Sequence, residues 1–106
     1  ETPAGKLEYG EEHLSCAVRE LSEETGFSAD EIIDLVCCYT SPGFSTEIIH
    51  VYLARGLHAG KCHPDEGEFL NVEKYSFDTL TQMVADGEIE DAKTVIAILK
   101  AAKYLR

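Results

Sequence analysis

Positive charge is scarce in this sequence. Nine lysines and arginines stand against 20 aspartates and glutamates, a formal net charge of −11, so the surface should repel a phosphate backbone and nucleic acid is not an expected partner. The same excess repels a free nucleotide, and binding a diphosphate here would require cations recruited from solution. Long apolar runs are also missing. Nothing approaches the roughly eighteen consecutive apolar residues of a membrane span, and no basic and apolar N-terminal segment resembles a signal peptide. A soluble, cytoplasmic protein without membrane contact is expected. The cysteines, Cys16, Cys37, Cys38 and Cys62, include no C-x-x-C pair, which argues against a disulfide framework. His58, Cys62 and His63 lie close together but match no standard zinc spacing and read as loop residues. There is no internal repeat and no low-complexity tract. What is present, 106 residues of 44% hydrophobic content, suits one small globular domain over 1–106.

Glu1 to Gly10 contains Pro3, Gly5 and Gly10 and reads as a strand end passing into a loop. Leu14, Ala17, Val18 and Leu21 then recur at helical spacing, predicting a helix over 11–25 with Glu11 and Glu12 at its positive end. Gly26 supplies a left-handed stop. A polar turn is expected around Ser28 to Asp30, a largely buried strand over Ile32 to Tyr39, and a turn at Ser41-Pro42-Gly43. Alternation from Glu47 to Ala54 predicts a second strand, His58 to Gly67 a loop, and Phe69 to Tyr75 a further strand. Ser76 can cap a helix carrying Leu80, Met83 and Val84 that Gly87 stops. Asp91 can cap a last helix burying Val95, Ile98, Leu99 and Ala102.

The chemistry-bearing stretch is Arg19-Glu20-Leu21-Ser22-Glu23-Glu24-Thr25-Gly26. At about 100° per residue, Glu20 and Glu24 stand one turn apart on one helical face with Glu23 on its flank. Three carboxylates on one patch repel, and a divalent cation relieves that repulsion; carboxylates together with substrate phosphates are the oxygen set magnesium prefers. A solvated helix face is the ordinary reading of such a cluster taken alone. The surrounding pattern changes it: Gly5, Glu11, Arg19-Glu20-Leu21, Glu23-Glu24 and Gly26-Phe27 occupy every fixed position of G-x5-E-x7-R-E-L-x-E-E-x-G-F.

This pattern resembles the Nudix box, and the chain is similar to Nudix hydrolases along most of its length. Pro3-Ala4-Gly5-Lys6-Leu7-Glu8 and Ser41-Pro42-Gly43-Phe44-Ser45-Thr46-Glu47 look like the corresponding stretches of the ADP-ribose pyrophosphatase subgroup, with Pro42 sixteen residues beyond Gly26. The resemblance implies an α+β fold, a Nudix-like α/β/α sandwich with a mixed sheet whose N-terminal strands are missing from this sequence. It implies Mg2+, or Mn2+, held by Glu20, Glu24, the Ala4 carbonyl and Glu68. Arg19 would orient the carboxylates, with Glu23 completing the patch, and Glu66 would be the general base, although Glu66 and Glu68 could exchange roles. Gly5, Pro42, Gly43 and Glu47 would line the substrate site, with Glu47 toward the terminal ribose. The implied reaction is hydrolysis of ADP-ribose to AMP and ribose 5-phosphate by a protein that is a homodimer at full length. Another nucleoside diphosphate derivative, such as a nucleotide sugar or coenzyme A, and a catalytically silent nucleotide-binding module are the alternatives.

Overall fold

A computed structural model of the chain describes residues 1–60 and 72–105. The element order is α1 (His13–Thr25), β1 (Phe27–Tyr39), β2 (Ile48–Ala59), α2 (Phe77–Ala85) and α3 (Ala92–Leu105). The fold is mixed α and β, with a small antiparallel sheet of two strands, β1 beside β2, and three helices. Two stretches depart from the expectation. Residues 1–10 form loop and turn, and 72–75 are not strand; the rest of the segment Phe69 to Tyr75 lies outside the described residues. Among the described residues the sheet is this one hairpin, β1 beside β2.

The polar turn expected at Ser28 to Asp30 is instead the start of β1. Pairing with β2 overrides the turn preference of Ser28 and Asp30, and the partner strand reaches Ala59, five residues past its expected end at Ala54. At the other end Thr40 donates its main-chain N–H to the Glu47 carbonyl (3.3 Å), and Phe44 and Ser45 both donate to the Ser41 carbonyl, closing the turn around Pro42 and Gly43. No residue of β1 is fully buried; half-buried and exposed positions follow one another along it. A two-stranded ribbon gives its side chains too few neighbours for the burial expected of Ile32 to Tyr39.

The chain divides into two compact units. In the first, which takes in Glu1–Thr2, Ile33–Leu53 and Lys74–Arg106, α2 packs on α3. Leu35, Tyr52, Leu53, Leu80, Ile98 and Ala101 meet there around an apolar cleft. Ile98, Ala101 and Thr94 are the buried residues of α3, whereas Leu99, expected inside, is exposed. The buried stripe therefore runs through positions 94, 98 and 101. In the second unit, Pro3–Ile32 with Ala54–Glu73, α1 begins at His13 and buries Cys16. Leu14 and Val18, expected on its buried stripe, are exposed.

Helix ends follow the local signals. Gly26 adopts φ 75° and returns its N–H to the Ser22 carbonyl (2.8 Å), a conformation that costs a side-chain-bearing residue about 1–2 kcal/mol. The Ser76 hydroxyl accepts from the Thr79 N–H (3.1 Å), and the Gly87 N–H reaches the Val84 carbonyl. Asp91 Oδ2 accepts from both the N–H (3.0 Å) and the hydroxyl (2.6 Å) of Thr94, while Oδ1 accepts from Lys93 Nζ (2.8 Å).

Those bonds, the Lys93 contact foremost, lower the Asp91 pKa from 3.8 to about 2. The folded state therefore holds its proton less tightly than the unfolded chain, and this contribution to stability is complete above the ordinary value and fades as pH falls toward 2. Asp91→Asn should flatten that part of the acid response. The check is the difference in Tm between wild type and variant across this window; a constant difference from pH 7 to 2 would refute the assignment.

Candidate metal and phosphate site

Helix α1 carries the site, and Arg19 organises it. Its guanidinium forks onto Glu11, Nε to Oε2 at 2.8 Å and Nη2 to Oε1 at 2.9 Å. Nη1 donates to Glu20 Oε1 (2.8 Å) and to Glu23 Oε2 (3.0 Å). Nη2 also reaches the Lys6 carbonyl (3.2 Å), and Glu8 lies 3.8 Å from Nη1. One cation thus holds three carboxylates of the box at hydrogen-bond distance, which raises its own pKa. The Arg19 bond and the Glu8 N–H hold Glu11 down at about 2. Beneath them lies the buried Cys16 thiol, its Sγ 3.7 Å from Arg19 Nη2; burial, then the Glu11 charge, pushes its pKa up and keeps it a thiol.

The preceding loop is laced to the same helix. The Ala4 N–H donates to Glu24 Oε2 (2.9 Å), and the Glu8 N–H to Glu11 Oε1 (3.0 Å). A Cβ built on Gly5 would overlap the carboxyl group of Glu20. Glycine at this position therefore lets main chain and carboxylate share one small volume, a physical reason beyond loop flexibility. Ala4 and Gly5 are themselves exposed, so a solute can approach them.

Of the residues singled out from sequence, Ala4, Gly5, Arg19, Glu20, Glu23 and Glu24 are thus brought together. Among the described residues no three His, Cys, Asp or Glu side chains converge as a finished metal cage. Glu20 and Glu23 turn to Arg19, and Glu24 turns to the Ala4 N–H. The donor set nevertheless suits a hard divalent cation that keeps much of its water: carboxylate oxygens, with main chain drawn against Glu24. Pro42 and Gly43 lie in the turn between β1 and β2. Glu47 closes the neck of that turn, its Oε1 accepting from the Thr40 hydroxyl at 2.8 Å. Glu66 and Glu68 lie outside the described residues, as do Cys62 and His63. His58 pairs with Asp30, Nε2 to Oδ1 at 2.7 Å, and Cys16, Cys37 and Cys38 are free thiols. Glu11 was expected in the first turn of the helix, but α1 starts at His13 with Glu12 at its N-cap; the geometry gives Glu11 another task, anchoring Arg19.

No helix among the described residues is long and apolar enough to cross a membrane. The NUDIX domain model matches residues 1–98. An ADP-ribose pyrophosphatase of Bacillus subtilis is 46% identical over 100 residues, 92% of this chain and 54% of the relative. A GDP-mannose pyrophosphatase of Klebsiella pneumoniae is 38% identical over 101 residues, 92% of this chain and 50% of the relative. The crystal structure of an ADP compounds hydrolase superposes with a TM-score of 0.80 at 24% identity, covering 93% of this chain and 54% of that one, a likeness of fold. The chain spans about half the length of the curated relatives it matches. With the box filled and its side chains gathered on α1, the match over 1–98 places this chain in the Nudix family.

Proposed function

We propose that the protein containing this chain is a Mg2+-dependent pyrophosphohydrolase that converts ADP-ribose and water to AMP and ribose 5-phosphate. The observation that carries the reading is the joint packing of loop and helix: Glu24 on the Ala4 N–H and Glu20 against Gly5. The subgroup is supported by the Ser41-Pro42-Gly43 turn and by the relative named as an ADP-ribose pyrophosphatase.

In this reading Glu20, Glu24 and the Ala4 carbonyl hold the cation, and Glu68 adds a further oxygen. A divalent ion bound there supplies cancellation of charge on the pyrophosphate oxygens and acidifies water. Arg19 acts before any substrate arrives, because its Nη1 fixes Glu20 and Glu23 while Glu11 fixes Arg19. Preset carboxylates need no rearrangement as charge develops. Glu66 is the proposed general base, accepting the proton of the attacking water. Gly5, Pro42, Gly43 and Glu47 are the proposed substrate contacts. The working form is proposed to be a cytoplasmic homodimer, on the family resemblance alone.

GDP-mannose pyrophosphatases matching over the same region support a second reading, another nucleotide sugar as substrate. The whole protein with Mg2+ should turn over ADP-ribose faster than GDP-mannose or dinucleotides in a substrate panel, and lose turnover when a chelator is added. Preference for GDP-mannose would replace the substrate assignment, and chelator-resistant activity would remove the metal. Glu24→Gln should fold yet lose roughly 100-fold or more in kcat, as loss of a metal ligand usually does; near-normal kcat refutes its role. Gly5→Ala should push the Glu20 carboxylate aside and lower kcat by about tenfold at unchanged Tm, since small misplacements of catalytic groups are costly. Full activity of that variant would show that the close approach has no catalytic use.

A further inference from the structure

Cys16 is buried in α1, 6% exposed, and the reaction proposed above gives its thiol no task. The groups beside it are those of the Arg19 and Glu11 fork. The Glu11 side chain is 14% exposed, so little water reaches the roughly four hydrogen-bond positions that a carboxylate offers. Arg19 takes two of them through Nε and Nη2, and the Glu8 N–H takes a third at 3.0 Å. The Cys16 hydrogen goes to the same carboxylate. Its sulfur in turn accepts from Arg19 Nη2 at 3.7 Å. Nη2 carries two hydrogens and also serves Glu11 Oε1 and the Lys6 carbonyl, so the sulfur is the weakest of its three acceptors. One thiol therefore meets both members of the pair, donating to the acid and accepting from the base. Burial, then the Glu11 charge, keeps it protonated, the form that can do both.

An alkyl side chain at this position would do neither, and Glu11 would lose a donor where water is scarce. The consequence reaches the other side of the arginine. A guanidinium is a rigid plane, so a change in how Glu11 seats Nε and Nη2 also moves Nη1, which holds Glu20 at 2.8 Å and Glu23 at 3.0 Å. We propose that Cys16 is a positioning residue: by bonding to both Glu11 and Arg19 it sets the guanidinium plane and, through Nη1, the directions of the Glu20 and Glu23 carboxylates. All of these groups belong to the segment Pro3–Ile32, inside one compact unit. The step from Arg19 to a bound ion rests on the metal-binding role proposed for Glu20.

The test uses the whole protein as wild type, Cys16→Ala and Cys16→Ser. NMR follows solvent exchange of the Arg19 Nε–H, calorimetry measures Mg2+ uptake without substrate, and Tm controls for stability. Alanine suits a helix but loses both bonds, so Arg19 exchange should quicken and Mg2+ affinity should fall, each by about threefold, the scale of one weak hydrogen bond. Serine, which can donate and accept, should restore both. Unchanged Arg19 exchange in Cys16→Ala, or faster exchange at unchanged Mg2+ affinity, overturns the inference. Failure of serine to restore the two readouts also overturns it and leaves Cys16 a space-filling residue. Wild type that takes up no Mg2+ overturns the metal reading and the step from Arg19 to the ion, while Arg19 exchange still decides whether Cys16 holds the guanidinium.

Discussion

One guanidinium sets the terms for α1. Arg19 stands among Glu8, Glu11, Glu20 and Glu23, and a single positive charge cannot neutralise four negative ones. Its geometry decides the division. Glu11 takes the fork of Nε and Nη2, the strongest arrangement open to an arginine and a carboxylate. Only Nη1 remains for Glu20 and Glu23, which share it. The box carboxylates are thus oriented but incompletely compensated, in a chain whose net charge is already −11. Lysine could not replace Arg19, because a point charge offers no fork to fix direction. The shared ion pair and the incomplete compensation are two consequences of the same shortage of positive charge.

What could be read from sequence divides along physical range. Helix ends rest on contacts within four residues, so Gly26, Ser76 and Asp91 behave as their types dictate. Strand limits rest on a partner elsewhere in the chain. Ser28 and Asp30 carry turn preferences, yet they enter β1 because β2 extends to Ala59, with Gly60 donating to the Gly26 carbonyl at 2.7 Å. Burial was the least legible quantity. Leu14, Val18 and Leu99 have the spacing of core residues and are exposed, while Thr94, a polar residue, is buried. Periodicity reports which face is apolar; it does not say what covers that face.

The site was legible where residue type alone constrains chemistry. Three glutamates on one helical flank and a fixed glycine announce charge and close approach before any coordinates exist. The roles of Glu11 and Glu24 needed three dimensions. Glu11 is eight residues from Arg19 and outside the REL core of the motif, and Glu24 meets a main-chain N–H twenty residues away. Neither pairing follows from helical spacing. The turn at Pro42 and Gly43 is plain from composition, but the closure of its neck through Thr40 and Glu47 depends on strand register.

A ligand offered by main chain, the role proposed for Ala4, would pose a problem that side-chain ligands do not. A glutamate on α1 inherits its position from the helix, whose hydrogen bonds fix every Cα. The carbonyl of Ala4 belongs to a segment with no regular structure, residues 1–8. Such a segment keeps a position only if separate bonds hold it, and each must offset the conformational entropy of the residues it orders. Side chains of the box supply several: Glu24 for Ala4, Glu20 packed against Gly5, and Arg19 for the Lys6 carbonyl. Their charge therefore orders the loop as well as forming the proposed cation site. Under the proposed metal role, a substitution that weakens one carboxylate would act twice, on the metal's affinity and on the backbone meant to share in binding it, so effects at Glu20 and Glu24 should not add as independent losses.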